Sequence, residues 1–245
     1  MAGLYPRLRD LIADQRRFGV ATRIDAEGLG RKALVLAGGE AFEGDLGLDP
    51  AAAASAFERC RALLAEGNTR AFPVDEAVAE GPEIFFEIHE PPPRLVVVGA
   101  VHVAIPLVAI AKAMGFETVV VDARTAYATK ERFGHADELV VRWPGDALAE
   151  MTLHGSTYCV FLTHDEKLDN PGLVVALRSE ARYVGALGSK RTHAKRAASL
   201  RELGLSDEEI DRIHAPIGIK LGGNRPEEIA VSIAAEMVAA RHGRA

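Results

Sequence analysis

The chain of 245 residues has few cysteines and no spacing typical of a cysteine-based framework. Its two cysteines, Cys60 and Cys159, belong to neither a CxxC pair nor a cysteine–histidine ladder. A disulfide scaffold and a structural zinc site are therefore excluded, and the cysteine usage is typical of a reducing compartment. With 48% hydrophobic and 26% charged residues, the composition is that of an ordinary globular protein, which excludes disorder and collagen.

Long apolar segments are also missing. The longest run without Asp, Glu, Lys or Arg covers residues 95–111, and it contains Gly99, His102 and Pro106. A membrane span needs about 20 apolar residues, so this run favours a strand, a turn and a buried helix. The start, MAGLYPRLRD, has no apolar stretch behind a basic end. We therefore expect a soluble cytoplasmic protein without a secretory signal or membrane association.

A surplus of positive charge is absent too. The net charge is −6, residues 1–90 hold 10 basic and 16 acidic side chains, and residues 91–245 hold 19 of each. General nucleic-acid binding is not expected from such a balance. A local basic run lies in residues 178–201, and a run of this kind is usually a solvated helix face. Its members are Arg178, Arg182, Lys190, Arg191, Lys195, Arg196 and Arg201.

Three consecutive prolines, at 91–93, divide the chain, because they favour a stiff extended connector and cannot continue a helix. Residues 1–90 are expected to form a small mixed α/β domain. Its predicted elements are a strand pair at 19–24 and 32–37, a helix from Asp49-Pro50 to about Gly67, and a strand at 84–88.

Residues 91–245 alternate short apolar runs with helical patterns, which predicts an α/β domain with a Rossmann-like, doubly wound parallel sheet. The predicted strands are 95–98, 118–121, 138–141, 158–162 and 183–187. The predicted helices are 104–114, 144–151, one capped by Asn170-Pro171, 189–203, one opened by Ser206 and Glu209, and 225–241. Residues 214–218 and 222–225 are predicted to supply flexible backbone before the last helix.

Ligands bind such a sheet beyond the carboxyl ends of its strands. In the first loop, Gly99 stands between a strand and a helix, where backbone N–H groups can face a phosphate. The dinucleotide fingerprint also requires a glycine at the position of Val101, which weakens that match. Asp122 ends the second strand and is placed to hold a ribose hydroxyl. The alternative is that Asp122 caps the next segment and Gly99 only makes a tight turn.

Two further loops follow later strands. Residues 163–169 are dense in polar groups, with His164 and Asp165 as binding candidates. In residues 185–193, Ser189 can cap a helix whose first turn holds Lys190 and Arg191. Cations there oppose the helix dipole unless an anion is bound, and this conflict predicts an anion site.

A catalytic constellation is missing. The chain has no GxSxG elbow and no HExxH motif, Cys159 lies in an apolar strand, and Cys60 has no histidine nearby in sequence. The histidines at 102, 164, 193 and 214 are too scattered to predict a metal site. Loops that bind phosphate without an acid–base pair favour binding and delivery over catalysis.

Five ordered segments resemble the XdhC/CoxI family, the accessory proteins of xanthine and carbon monoxide dehydrogenases. They read PPPRLVVVGAVHVA, GFETVVVDAR, THDEKLD, YVGALGSKRTHAKR and RIHAPIGIKLGGNRPEEIAVSIAAEMVAAR. Two departures stand out. Val101 replaces the middle glycine of the family's GAGHVA loop, and residues 43–48 lack the cysteine of the family's SGGCVEG segment.

The resemblance implies a Rossmann-like C-terminal domain at 91–245 and a smaller family-type domain at 1–90. It implies binding of the molybdenum cofactor, as molybdopterin or its dinucleotide form, and protection of it while a cysteine desulfurase helps to install a sulfur. Insertion into a molybdenum hydroxylase client and a homodimeric state are also implied. The phosphate would suit Ser189, Lys190 and Arg191, and the Gly99 turn would hold the nucleotide or pterin portion.

The expected cofactor-binding residues lie in the loops described above. They are Gly99, Ala100, His102, Asp122, Arg124, Thr163, His164, Asp165, Gly188, Ser189, Lys190, Arg191 and Thr192. We expect a maturation factor rather than an enzyme. The alternatives are an NAD(P)-binding oxidoreductase that uses Gly99, Asp122 and Arg124, and an assembly partner that binds no ligand.

Overall fold

The structure is a computed structural model that describes residues 4–36, 38–77 and 81–244. The chain divides into two compact units, Met1–Pro91 and Pro92–Ala245, so the division falls within the three prolines. Across the described residues, no helix combines the length and the hydropathy that a bilayer crossing requires.

The described residues of the first unit form a five-stranded antiparallel sheet, in the order β3-β2-β1-β5-β4, and two helices. The elements are α1 Leu4–Ala13, β1 Phe18–Arg23, β2 Lys32–Leu36, β3 Glu43–Gly44, α2 Pro50–Glu66, β4 Arg70–Pro73 and β5 Glu83–His89. The predicted strand pair is confirmed as β1 and β2, although residue 37 lies outside the described residues. Helix α1 and strands β3 and β4 were not predicted from the sequence.

Helix α2 has the predicted signals at both ends. The Asp49 carboxylate accepts hydrogen bonds from the N–H groups of Ala51 and Ala52, and Pro50 needs no partner at the first helical position. Gly67 ends the helix with φ 77°, a left-handed conformation that glycine adopts without a steric penalty. Phe57 and Cys60 on its inner face pack in one cluster with the sheet residues Val35 and Phe86.

The second unit contains a six-stranded parallel sheet in the order β11-β10-β9-β6-β7-β8, which confirms the predicted fold class. Its strands are β6 Arg94–Val98, β7 Glu117–Val121, β8 Glu138–Val140, β9 Thr157–Phe161, β10 Tyr183–Ala186 and β11 Ile213–His214. Its helices are α3 Ala104–Ala113, α4 Lys130–Phe133, α5 Pro144–Ala149, α6 Glu166–Arg178, α7 Lys190–Glu202, α8 Asp207–Asp211 and α9 Pro226–Arg241. The strand order reverses between β6 and β9, where such sheets bind their ligands.

Helices cover both faces of this sheet, which explains why its strands are apolar without alternation. Leu107 of α3 and Ile233 of α9 belong to the cluster on one face. Leu173 of α6 and Leu200 of α7 belong to the cluster on the other. Residues 95–98 of β6 contribute to both clusters and are fully buried.

Two sequence predictions near the site are wrong. Helix α6 begins at Glu166 rather than at Asn170-Pro171, because the Asp165 carboxylate caps it by accepting the Lys167 N–H at 2.9 Å. Pro171 therefore lies inside the helix, which gives up one backbone hydrogen bond there and continues. Ile213 and His214, of which His214 was predicted as flexible loop, form the edge strand β11 that pairs with β10.

Candidate functional site

The loops after β6, β9 and β10 leave the sheet at the same level. Phe161 is the register partner of both Val98 and Ala186, so these three residues end their strands side by side. Neighbouring strands are about 4.8 Å apart, which places β6 and β10 about 10 Å from each other. Gly99, with φ 109°, packs closely on the β9 loop, since a Cβ at that position would lie 2.6 Å from the Thr163 Cγ2 atom. The structure thus brings together three of the loops that the sequence singled out.

Residues 99–101 of the first of these loops use their backbone donors internally. The Gly99 N–H donates to the Val121 carbonyl at 2.9 Å, the Val101 N–H donates to the Gly99 carbonyl at 2.9 Å, and the Ala100 N–H donates to Asp122 Oδ2 at 2.7 Å. A phosphate bound at this turn would have to displace these bonds. Residues 99–101 are therefore poorly suited to hold an anion through their backbone, whereas the N–H groups of His102 and Val103, where α3 begins, have no acceptor among the described residues.

Asp122 is buried and accepts four hydrogen bonds. Its Oδ1 accepts from the backbone N and from Nε of Arg124, both at 2.9 Å, and its Oδ2 accepts from Ala100 N and Arg124 Nη2, both at 2.7 Å. A carboxylate offers about four acceptor positions, so none is left for a ribose hydroxyl. Burial raises the pKa of Asp122, but the bonds from Arg124 and Ala100 outweigh this effect and hold that pKa below its ordinary value. This geometry favours the alternative in which Asp122 stabilises the turn and the segment after β7.

The loop after β10 keeps its backbone donors open. Within the described chain, no acceptor is found for the N–H groups of Gly188, Ser189, Lys190 and Arg191. Ser189 caps α7 by accepting the Thr192 N–H at 3.1 Å, and Gly188 has φ 141°. The side chains of Lys190 and Arg191 are exposed and form no ion pair with the residues that the structure describes. Consecutive free N–H groups and unpaired cations at a helix N-terminus form a natural anion-binding surface.

Arg196 lies behind this loop, although the sequence analysis assigned it to a solvated face. It is 4% exposed, and its Nη2 donates to the Leu187 carbonyl at 2.9 Å, which ties α7 to the β10 loop. The same Nη2 lies 3.8 Å from Asp169 Oδ2. The helical spacing of Arg196 and Leu200 places both on the inner face of α7, a signal that could have shown the burial of Arg196 from the sequence.

Asp169 was counted among the polar residues of a loop, but it lies in α6 and is 1% exposed. Its Oδ1 accepts a hydrogen bond from Thr163 Oγ1 at 2.6 Å. Burial raises the pKa of Asp169 to about 7, while Thr163 and Arg196 oppose the change. The Thr163 hydroxyl is thereby directed into the protein. Asp169 thus contacts the loop after β9 through Thr163, and Arg196 contacts the loop after β10 through the Leu187 carbonyl.

A cationic and aromatic group, here named the Tyr127 cluster, consists of Arg124, Tyr127 and Arg132. The guanidinium carbons of the two arginines lie 4.5 and 6.0 Å from the centroid of the Tyr127 ring, and the residue is 45% exposed. Arg132 Nη1 donates to the carbonyls of Ala100 and Tyr127, both at 2.9 Å. The cluster therefore lies beside the Gly99 turn. Sequence reasoning named only Arg124 of this group.

The remaining candidates do not assemble into a catalytic or metal centre. His102, His164 and Asp165 are exposed, and Asp165 serves as the cap of α6. Among the described residues, no group of three or more His, Cys, Asp or Glu side chains could hold a metal ion. Cys60 and Cys159 are fully buried, and burial raises the pKa of both thiols to about 12, so they stay protonated at neutral pH.

Comparison with known proteins gives consistent relatives. The chain is 33% identical over 158 residues to a protein of Bacillus subtilis (strain 168) named as a probable xanthine dehydrogenase subunit, a match that covers 64% of this chain and 46% of that protein. It is 35% identical over 108 residues to the molybdenum cofactor insertion chaperone PaoD of Escherichia coli (strain K12), which covers 44% of this chain and 33% of that protein. The chain thus spans less than half the length of these two curated relatives.

A solved structure resembles the whole chain. The crystal structure of a xanthine dehydrogenase from Bacillus halodurans matches 98% of this chain and 64% of that one, with a TM-score of 0.65 and 26% identity. The family model of the XdhC Rossmann domain matches residues 95–237, which include the loops after β6, β9 and β10. Because this match covers more than half of the chain, the protein belongs to the XdhC family.

Proposed function

We propose that this protein binds the molybdenum cofactor and delivers it to a molybdenum hydroxylase. The observation that carries the proposal is the β10–α7 loop, where four consecutive backbone N–H groups and two exposed cations find no partner among the described residues. Molybdopterin ends in a phosphate, and its dinucleotide form contains a pyrophosphate. The names of two relatives, a molybdenum cofactor insertion chaperone and a xanthine dehydrogenase subunit, support the same role.

In this proposal, the backbone and the side chains of the loop have different roles in binding a phosphate. The N–H groups of residues 188–191 would donate to its oxygens, while Lys190 and Arg191 would balance its charge. Ser189 and Thr192 hold the first turn of α7 in shape, with their side-chain oxygens 2.9 Å apart. Arg196 fixes the start of the loop through the Leu187 carbonyl. When bound, the cofactor is cargo, and its molybdenum chemistry belongs to the client enzyme.

The proposed partners rest on the resemblance to the family, and the state of the thiols bears on the role of the desulfurase. We propose a cysteine desulfurase as the source of the sulfur, and a homodimer in the cytoplasm with residues 1–90 as a family-type N-terminal domain. Cys60 and Cys159 are buried and protonated, so in this proposal neither thiol carries sulfur to the cofactor. The chain would hold and shield the cofactor while the desulfurase acts.

The test is an anaerobic titration of the full chain with molybdopterin released from a molybdenum enzyme. We expect saturable binding at one cofactor per chain. The double variant K190A/R191A should weaken binding about tenfold, since each contact to a charged group contributes about 1.5–3 kcal/mol when buried and less at exposed side chains such as these. The matched control is Lys195→Ala, which removes an exposed cation from the same helix beyond its first turn. Equal affinity in the double variant and the wild type would disprove the phosphate site.

NADH and NADPH serve as the comparison ligands in the same titration. An NAD(P)-binding oxidoreductase should saturate in the micromolar range. We expect no such saturation, because every acceptor position of Asp122 is filled and the N–H groups of residues 99–101 are bonded within the fold.

A further inference from the structure

The two arginines of the Tyr127 cluster are held in place but keep unused donors. Arg124 binds Asp122 through Nε and Nη2, and Arg132 binds two backbone carbonyls through Nη1. Arg132 forms no ion pair with any described residue, and neither Nη1 of Arg124 nor Nη2 of Arg132 has an acceptor in the described part of the chain. Both guanidinium groups are therefore pre-positioned and able to donate further hydrogen bonds.

The ring of Tyr127 lies within cation–π distance of both arginines, and the residue is 45% open to solvent. Exposed aromatic rings beside arginines are a common platform for planar heteroaromatic ligands, which stack on the ring while their edge atoms accept from guanidinium groups. The hydrogen bond to Asp122 raises the pKa of Arg124, and the charge of Asp165 adds to this effect.

The distance from this cluster to the β10 loop suits one extended ligand. Arg132 is anchored on Ala100, which follows β6, two strands from the β10 loop, whereas Arg124 and Tyr127 follow β7, three strands from it. Two to three strand spacings amount to about 10–14 Å. A fused heteroaromatic ring that carries a phosphate on a short side chain has a comparable length. A phosphate bound at residues 188–191 would therefore leave its ring at the Tyr127 cluster.

We propose that Arg124, Tyr127 and Arg132 form a subsite for a planar heteroaromatic ring with hydrogen-bond acceptors on its edge, and that this ring is the pterin of the cofactor. The inference rests on the proposed function and adds the orientation of the ligand, with the phosphate at β10 and the ring beyond β6. The nucleobase of a dinucleotide cofactor has related chemistry, so the experiment must separate the two rings.

The experiment titrates the full chain with three probes: pterin-6-carboxylate, followed by its fluorescence, cytidine 5′-monophosphate, and inorganic phosphate. Tyr127→Ala should weaken pterin binding about tenfold and leave phosphate binding unchanged. K190A/R191A should weaken phosphate binding and leave pterin binding unchanged. Tyr127→Phe keeps the ring and should retain pterin binding. Lys130→Ala, which removes a cation from α4 outside the Tyr127 cluster, is the control for a general loss of charge.

The outcomes separate this inference from the proposed function. If the intact cofactor does not bind the wild type, the proposed function fails. If the cofactor binds but Tyr127→Ala binds pterin as well as the wild type does, only the ring subsite is disproved. If Tyr127→Ala weakens the binding of cytidine monophosphate more than that of the pterin, the subsite belongs to a nucleobase, and the proposed placement of the pterin at the Tyr127 cluster is overturned. Arg132→Ala is not used to decide the test, because it also removes the hydrogen bond to the Ala100 carbonyl and could destabilise the turn. The Tyr127 variants decide it.

Discussion

Replacing Asp122 by Asn tests whether this carboxylate holds the Gly99 turn together. Asn keeps the shape of Asp but has one acceptor oxygen, and its amide NH2 would face two donors in place of the other oxygen. In either orientation two of the four hydrogen bonds are lost, to Ala100 N and Arg124 Nη2 or to Arg124 N and Nε. A buried hydrogen bond to a charged group contributes about 1.5–3 kcal/mol, and the bonds of Arg124, whose side chain is 35% exposed, are discounted for solvent. We expect the free energy of unfolding at pH 7 to fall by about 2–4 kcal/mol.

The assay is chemical denaturation followed by the fluorescence of Trp143, the single tryptophan, which lies in the second unit and reports on the unit that contains Asp122. Arg124→Ala and the double variant complete a cycle that isolates the pair from the backbone bonds. The pKa of Asp122 is held below its ordinary value, so its stabilising effect is present above that value and is lost as the pH falls. The difference in the free energy of unfolding between wild type and variant should therefore shrink as the pH falls below about 4, the ordinary pKa of Asp. A loss below about 1 kcal/mol at pH 7, or a difference that grows on acidification, would contradict the role assigned to Asp122.

Three further predictions follow from the same geometry. K190Q/R191Q should stabilise the ligand-free protein by about 0.5–1 kcal/mol while it weakens phosphate binding, because both cations oppose the dipole of α7; destabilisation in thermal unfolding would show that they have a structural role. Asp169→Asn should remove a pH dependence. Burial raises the pKa of Asp169 to about 7, so the folded wild type keeps a proton that the unfolded chain releases. As the pH rises from about 5 to 7, the free energy of unfolding of the wild type should fall by up to about 1.4 kcal/mol per pH unit relative to the variant. Parallel pH dependence of the two proteins in urea titrations would refute this. Cys60 and Cys159 should react with an aromatic disulfide only on unfolding, since both thiols are buried; rapid labelling of the native chain would contradict their burial.

The sequence predicted most of the second unit because its signals are local. Continuous apolar runs mark strands that are covered on both faces, and Ser189 and Ser206 cap the helices that they were expected to cap. The first unit was less predictable. Strands β3 and β4 are short edge strands, of two and four residues, and a run of that length carries no periodicity.

The errors near the site came from residues with two valid local interpretations. Asn170-Pro171 is a good helix start by composition, but Asp165 lies five residues earlier and forms the cap that decides the boundary. Arg196 stands among exposed cations, and what distinguishes it from Lys195 is its helical spacing with the buried Leu200. Tyr127 and Arg132 were not predicted as site residues, because only tertiary contacts bring them to the Gly99 turn. Arg132 donates to the carbonyl of Ala100, which lies 32 positions earlier in the chain.

Val101 shows why the departure from the family's glycine loop is compatible with ligand binding. It packs against the core cluster that contains α3, and its N–H is bonded to Gly99. Asp122 takes the Ala100 N–H and keeps the turn closed. A bound phosphate at this turn would have to replace bonds that already stabilise the fold, whereas at residues 188–191 it would satisfy donors that lack partners in the described chain and offset the unfavourable placement of Lys190 and Arg191. Binding an anion through residues 188–191 therefore breaks no backbone hydrogen bond, unlike binding through residues 99–101, and it requires no glycine at position 101.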